Sequence, residues 1–170
     1  MARRFIAMRH AKSAWDDPEL SDHDRPLNAR GRRAADAMGL WLAERGLIPD
    51  AVILSSATRV TETWRRISAP WPSRPPALGD RGLYMAWPAR VIETLREVDP
   101  DAGTVLLINH EPTISALVEV LAAPPIDADA ARAFLHYPTA AVSVLAYDGP
   151  WTEAGPGTMR FETFQIPKEL

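Results

Sequence analysis

Residues 3–13 read RRFIAMRHAKS, a short apolar run that stops abruptly at an arginine and a histidine. The apolar part predicts a buried β-strand over about residues 3–8. Arg9 and His10 then lie where that strand ends, with a lysine and a serine just beyond them. A strand end that is simply solvated and the mouth of an anion-binding site both fit this stretch. Residues elsewhere in the chain must decide between them.

The composition indicates one ordinary globular domain over residues 1–170, with 46% hydrophobic and 24% charged residues. The net charge of −3 gives no overall basic field, so nucleic acid is not an expected partner. The absence of cysteine excludes disulfides, thiolate zinc sites and cysteine nucleophiles. No apolar run approaches the roughly 18 residues of a membrane span, so we expect no membrane contact and a cytoplasmic location.

Hydrophobic periodicity and capping residues predict alternating helices and strands along the rest of the chain. The predicted elements are a helix over about 30–45, a strand over 51–54, a helix from Thr58 to before Pro70, a helix from Pro88, a strand over 104–109, a helix from Pro112, and strands over about 140–147 and 159–166. This order is typical of a three-layer α/β/α sandwich with a mainly parallel central sheet and an antiparallel edge strand.

Polar residues follow three of the predicted parallel strands. Besides His10, Arg59 follows the strand over 51–54, and His110 follows the strand over 104–109. The carboxyl ends of parallel strands share one edge of a sheet, where ligands of open α/β sheets bind. Arginine forks and helix N-termini both suit phosphate oxygens. These residues, together with Arg9, therefore predict a phosphate pocket.

Other interpretations remain open at this point. Each residue alone could be structural, and Arg59 could simply pair with Glu62. A metal site is disfavoured because no HxH, HxxxH or HExxH spacing occurs and two arginines would repel a cation. Asp127-Ala128-Asp129 is similar to an aspartyl-phosphate phosphatase motif, but it follows Ala-Pro-Pro instead of a buried strand.

Three motifs in chain order resemble those of the histidine phosphatase superfamily, which has the phosphoglycerate mutase-like fold. The matching segments are Arg9-His10-Ala11, Ser56-Ala57-Thr58-Arg59 with Thr61-Glu62-Thr63, and Asn109-His110-Glu111-Pro112. The resemblance is strongest to the small SixA-like phosphohistidine phosphatases, which share the short length, Asp24-Arg25-Pro26-Leu27 followed by Gly31, and Leu83-Tyr84. It covers nearly the whole chain, from Ala2 to about Asp148, and departs from the signature where Ala11 replaces a glycine.

The resemblance implies a role for each motif residue. His10 would be the nucleophile that accepts the phosphoryl group, through a neutral imidazole whose other nitrogen donates its proton to a fixed acceptor. Arg9 and Arg59 would clamp the phosphoryl oxygens, and His110 would donate to the same oxygens. Arg25 and Ser13 are further candidate phosphate contacts. The candidate proton donors are Asp80 and Glu111, with Asp16 and Asp17 of the first loop as further options.

The implied function is a phosphatase that works without metal or cofactor through a covalent phosphohistidine on His10. The expected substrate is phosphohistidine on a partner protein, because an imidazole leaving group with a pKa near 6.5 departs with little help from an acid. The small segment from Ala69 to Trp87 predicts an open pocket suited to a side chain on another protein. The alternatives are a phosphatase of small phosphorylated molecules and a phosphate-binding module without turnover.

Overall fold

The computed structural model describes residues 2–170. Its strands are β1 (Arg3–Arg9), β2 (Ala51–Ser55), β3 (Gly79–Asp80), β4 (Thr104–Asn109), β5 (Val142–Tyr147) and β6 (Arg160–Gln165). Its helices are α1 (Ala29–Glu44), α2 (Thr58–Ile67), α3 (Pro88–Arg96), α4 (Thr113–Leu121) and α5 (Ala128–Leu135). Within the described residues, no helix has the length and hydrophobicity needed to cross a membrane.

The strands form one six-stranded sheet in the order β3-β2-β4-β1-β5-β6. The first four strands in that order are parallel, whereas β5 runs antiparallel to both β1 and β6. The ladder between β1 and β4 places Arg9 opposite Asn109. The residues that follow these two central strands, His10 and His110, therefore emerge side by side at one edge of the sheet.

Helices cover both faces of the sheet because β1 and β4 alternate their apolar side chains between two cores. Phe5 and Ala7 belong to one core, with residues of α3, α4 and α5. Ile6 and Met8 belong to the other core, with residues of α1 and α2. Burying a side chain such as Phe5, Ile6 or Met8 contributes about 1.5–3 kcal/mol, so packing on both faces stabilises the central strands.

The predicted fold class is confirmed, including the antiparallel pairing of the last strand at an edge. The helix after Asn28 also agrees, since that side chain accepts from the Gly31 amide and Gly46 beyond the helix has a positive φ of 65°. The sequence analysis did not predict α5. Asp127 caps this helix by accepting from the Ala130 amide at 2.8 Å, so the segment similar to a phosphatase motif is a helix start.

Candidate active site

His10 lies buried directly after β1 with its two ring nitrogens in different environments. Its Nδ1 lies 2.7 Å from the Ala11 carbonyl oxygen, which can only accept, so Nδ1 carries the ring proton. The Arg59 Nε–H donates to Nε2 across 3.3 Å. Burial lowers the pKa of His10 to about 3, and the charges of Arg59 and Arg9 add to that effect. The result is a neutral imidazole whose unprotonated Nε2 accepts from Arg59.

Ala11, which occupies the position of the signature glycine, is fully buried. It is part of the core that contains Leu27, Val60 and residues of α1. Its amide donates to the Thr63 hydroxyl at 3.0 Å, and that hydroxyl donates to the Arg59 carbonyl at 2.6 Å. The methyl group thus packs into the core, and the backbone of this residue links the loop that contains His10 to α2.

Arg59 is buried in the first turn of α2, where the helix N-terminus adds partial positive charge. Besides its contact with His10, its Nη1 donates to the Asp22 carbonyl at 2.6 Å and its Nη2 to the Asp22 carboxylate at 3.1 Å. The guanidinium is therefore held in one plane against the His10 ring. A planar fork fixed in this way can bind two oxygens of a phosphoryl group.

Asp22 is a site residue that the sequence analysis missed. Its carboxylate accepts from Tyr84, Arg25 and Arg59, with Arg25 Nη2 at 2.8 Å. The hydrogen bond from the Tyr84 hydroxyl and those from the two arginines hold the pKa of Asp22 well below its usual range. The sequence does offer one signal for Asp22, which is its position three residues before Arg25. It follows Asp16 and Asp17 in the chain.

Arg25 and Ser13 meet on the other side of the same pocket. Arg25 is buried, and its Nη1 donates to the Ser13 hydroxyl at 2.8 Å and to the Ala14 carbonyl at 3.2 Å. The Trp15 ring stacks on the guanidinium with 3.4 Å between its centroid and the Arg25 Cζ. The structure thus brings these two predicted phosphate contacts together at the edge of the site.

His110 lies beside His10, with 5.1 Å between the ring centroids, and both side chains are buried. Its Nε2 lies 2.8 Å from the Ser55 hydroxyl, whereas its Nδ1 is buried and bonds to no described atom. The Nε of Arg9 is buried without a partner in the same way, while its Nη1 donates to the Tyr137 carbonyl at 2.8 Å. Buried nitrogens without protein partners are suited to meet the oxygens of an anion.

The predicted proton donors are placed less favourably. Asp80 accepts from the Gly82 amide at 2.7 Å and caps a 3-10 turn, away from the cavity around His10. Glu111 lines that cavity, but its two oxygens accept from the Ser115 amide and hydroxyl at 2.7 and 2.8 Å. Asp17 accepts from the Glu19 amide within its own loop. Asp16 lines the neighbouring groove instead.

The histidines and arginines described above line one cavity of about 350 Å³. It is lined by Arg9, His10, Lys12, Ser13, Trp15, Asp22, Arg25, Arg59, Met85, His110, Glu111 and Thr139. Four of these side chains are arginine or lysine and two are neutral histidines, so the cavity is suited to bind an anion next to an unprotonated ring nitrogen. An anion-binding cavity at the carboxyl edge of a parallel α/β sheet is typical of the class of enzymes that act on phosphorylated substrates.

Comparison with known proteins identifies the family. Residues 5–83 match the model of the histidine phosphatase superfamily, branch 1. An uncharacterized protein of Mycobacterium tuberculosis is 40% identical over 163 residues, which is 95% of this chain and all of that protein. The structure of a candidate phosphohistidine phosphatase SixA from Nakamurella multipartitia is 28% identical, has a TM-score of 0.87, and is aligned over 98% of this chain and 97% of its own.

A second solved structure, the protein histidine phosphatase SixA complexed with tungstate, has the same fold. Its TM-score is 0.79 at 22% identity, with 98% of each chain aligned. The chain belongs to the histidine phosphatase superfamily, is SixA-like, and is a phosphatase.

Protonation of the two histidines makes the stability of the fold depend on pH. In the unfolded chain a histidine takes up its proton near pH 6.5, whereas burial lowers the pKa of His10 to about 3 and that of His110 to about 4. The unfolded state therefore binds more protons in this range. We expect the free energy of unfolding to be highest above pH 6.5 and to fall as the pH is lowered toward 4.

Denaturant unfolding at fixed pH steps measures this dependence. The His10→Gln variant, which keeps a polar side chain but cannot take up the proton, should show a shallower fall between pH 6.5 and 5. Carboxylates contribute little to the slope in that window because they titrate at lower pH. Equal slopes in the variant and the wild type would contradict the lowered pKa of His10.

Proposed function

We propose that this phosphatase removes the phosphoryl group from a phosphohistidine side chain of a partner protein, through a covalent phosphohistidine on His10. Arg9 and Arg59 clamp the phosphoryl oxygens, His110 donates to them, and Arg25 and Ser13 complete the anion pocket. The SixA structure with the same fold is complexed with tungstate, an oxyanion, which supports an anionic group such as phosphoryl as the ligand of this fold.

The environment of His10 supports its role as the nucleophile. The hydrogen bond from Nδ1 to the Ala11 carbonyl directs the Nε2 electron pair toward Arg59, which lies 3.3 Å away. A phosphoryl group bound by that guanidinium would have its phosphorus next to Nε2. The lowered pKa keeps the ring neutral at pH 7, so no proton has to be removed before the attack.

The proposed reaction has two steps, which are phosphoryl transfer to His10 and hydrolysis of the phosphoenzyme. In the first, His10 Nε2 forms a bond to phosphorus as the N–P bond of the substrate breaks, and the released imidazole takes a proton from water. In the second, a water molecule attacks phosphorus and the bond to His10 Nε2 breaks. Inorganic phosphate leaves, the proton of the water passes to solution, and His10 returns to its neutral form.

The preference for a phosphohistidine substrate rests on one observation, which is that neither carboxylate in the cavity is available as a proton donor. Among the described residues that line the cavity, Asp22 and Glu111 are the two carboxylic acids. Asp22 is held ionised by Tyr84 and two arginines, and the two oxygens of Glu111 accept from the amide and the hydroxyl of Ser115 in the first turn of α4. Neither is arranged to protonate an alkoxide, which needs an acid far more than an imidazole does. This arrangement favours a phosphoramidate over an alkyl phosphate ester.

The rim of the cavity supports a protein as the carrier of the phosphoryl group. Trp15 and Met85 line the cavity, and 72% of the surface of each residue is exposed. Trp87, two residues beyond Met85, is 77% exposed. Met85 also holds a φ of 63°, a conformation that costs a non-glycine residue about 1–2 kcal/mol. Large apolar side chains exposed around a site are typical of surfaces that bind a partner.

The decisive experiment compares substrates. The wild-type protein is given a phosphohistidine-bearing protein and, separately, an alkyl phosphate monoester, and the release of inorganic phosphate is measured. We expect kcat/KM for the phosphohistidine protein to exceed that for the ester by at least about 100-fold, because the ester lacks a good leaving group. Comparable values for the two substrates would reject phosphohistidine as the preferred substrate in favour of small phosphate esters.

The contribution of the rim is measured with the same two substrates. Trp87→Gln should raise KM for the phosphohistidine protein several-fold and leave kcat/KM for the ester unchanged. Leu40→Gln, which changes an exposed leucine on α1 away from the cavity, is the matched control. Equal KM values for all three proteins would exclude a role for this part of the rim in binding the partner.

A further inference from the structure

The two ring nitrogens of His110 have unequal surroundings. Nε2 lies 2.8 Å from the hydroxyl of Ser55, the last residue of β2. Nδ1 is buried and has no hydrogen-bond partner within the described residues. Burial lowers the pKa of His110 to about 4, with the charge of Arg59 adding to the effect. The ring is therefore neutral at pH 7 and carries a single proton, whose position decides what His110 can donate.

The hydroxyl of Ser55 determines where that proton lies. Ser55 is fully buried, and its oxygen accepts from the Ala57 amide at 3.3 Å. Among the described residues, the remaining hydrogen-bond partner of this hydroxyl is His110 Nε2, so its hydrogen is satisfied only by donation to that nitrogen. In the opposite tautomer the buried Ser55 hydrogen would have no acceptor and the buried Nδ1 electron pair no donor, whereas this tautomer leaves only the Nδ1–H without a protein partner among the described residues.

The tautomer has a direct consequence for binding a phosphoryl group. If Ser55 donates to Nε2, the ring proton is on Nδ1, the nitrogen that bonds to no protein atom. An N–H at that position donates to a phosphoryl oxygen, whereas a bare electron pair would repel it. We propose that Ser55 is a positioning residue that fixes His110 as the Nδ1–H tautomer and thereby makes it a donor to the bound phosphoryl group. This inference rests on the proposed function, because it assumes that the phosphoryl group binds next to His110.

NMR of protein labelled with ¹⁵N in its histidine rings determines the tautomer of His110 without any substrate. We expect wild-type His110 to show Nδ1 protonated and Nε2 unprotonated at pH 7. The Ser55→Ala variant should lose this fixed state, and its affinity for inorganic phosphate should fall on the order of tenfold. The Ser55→Thr variant retains a hydroxyl and should restore the wild-type tautomer.

Ser56→Ala is the matched control, because the neighbouring serine bonds to His23 Nε2 at 2.8 Å and not to His110. It should leave the His110 spectrum and the phosphate affinity unchanged. A wild-type His110 protonated on Nε2, or a Ser55→Ala variant with an unaltered tautomer, would overturn the inference. The wild-type spectrum alone provides this test even if Ser55→Ala fails to fold. Wild-type protein that does not bind phosphate would count instead against the proposed function.

Discussion

Replacing His10 with alanine is expected to abolish the phosphoenzyme and to lower kcat on the order of 10⁴-fold or more. The reason is that Nε2 of His10 is the neutral ring nitrogen held at 3.3 Å from the Arg59 Nε, and alanine provides no atom that can bond to phosphorus. The measurement is transfer of labelled phosphoryl group to the protein, trapped under alkaline denaturing conditions because phosphohistidine is labile in acid.

His136→Ala is the matched control for this experiment, because it removes an exposed histidine that does not line the cavity. It should retain both the label and the wild-type rate. Unfolding curves for both variants separate a chemical effect from a loss of structure. A His10→Ala protein that still acquires acid-labile label would refute His10 as the nucleophile.

The position of His10 could be predicted because it depends on sheet geometry that the sequence encodes locally. The apolar runs of β1 and β4 have the length and composition of buried parallel strands, and the register that pairs Arg9 with Asn109 brings the next two residues together. Placing His10 and His110 at one sheet edge needed no knowledge of a particular loop. The ring-to-ring distance of 5.1 Å follows from that shared edge.

Asp22 and the role of Ser55 were not predictable in the same way. Asp22 lies in an irregular loop, and it meets Arg59 only because that loop folds back across the first turn of α2. No periodicity links two residues that are 37 positions apart in the chain. Ser55 directly follows the predicted strand over 51–54, but its bond to His110 depends on how β2 and β4 are aligned. Contacts that depend on how distant segments pack together cannot be predicted from local sequence patterns.

The two predicted proton donors show a further limit of reasoning from local sequence. Asp80 and Glu111 were plausible because each stands next to a motif residue in the sequence. In the structure each of these carboxylates instead satisfies backbone amides at the start of a helix or turn, through Gly82 and Ser115 respectively. Acidic side chains at such positions stabilise helix N-termini, and that local role competes with a catalytic one.

Replacing Arg59 with alanine is the change with the second-largest expected effect, a fall in kcat/KM on the order of 10³-fold. This side chain contacts His10 and is fixed by two hydrogen bonds to Asp22, so it is organised before substrate binds. Such prearranged donors stabilise the negative charge on the phosphoryl oxygens in the transition state. The Arg59→Lys variant keeps the charge but loses the planar fork, and its rate should lie between those of the alanine variant and the wild type.

Arg66→Ala on the same helix is the control, because Arg66 pairs with the partly exposed Asp36 on the protein surface and is absent from the cavity. Surface ion pairs of this kind contribute only about 0–1 kcal/mol, so this variant should keep the wild-type kcat/KM. Steady-state kinetics of the three variants with the same phosphohistidine protein, together with their unfolding curves, measures the difference. If Arg59→Ala folds and turns over substrate at the wild-type rate, the phosphoryl group does not bind where Arg59 meets His10, and the proposed site is wrong. A lysine variant as slow as the alanine variant would instead show that the fork geometry, and not the charge, accounts for the whole effect of Arg59.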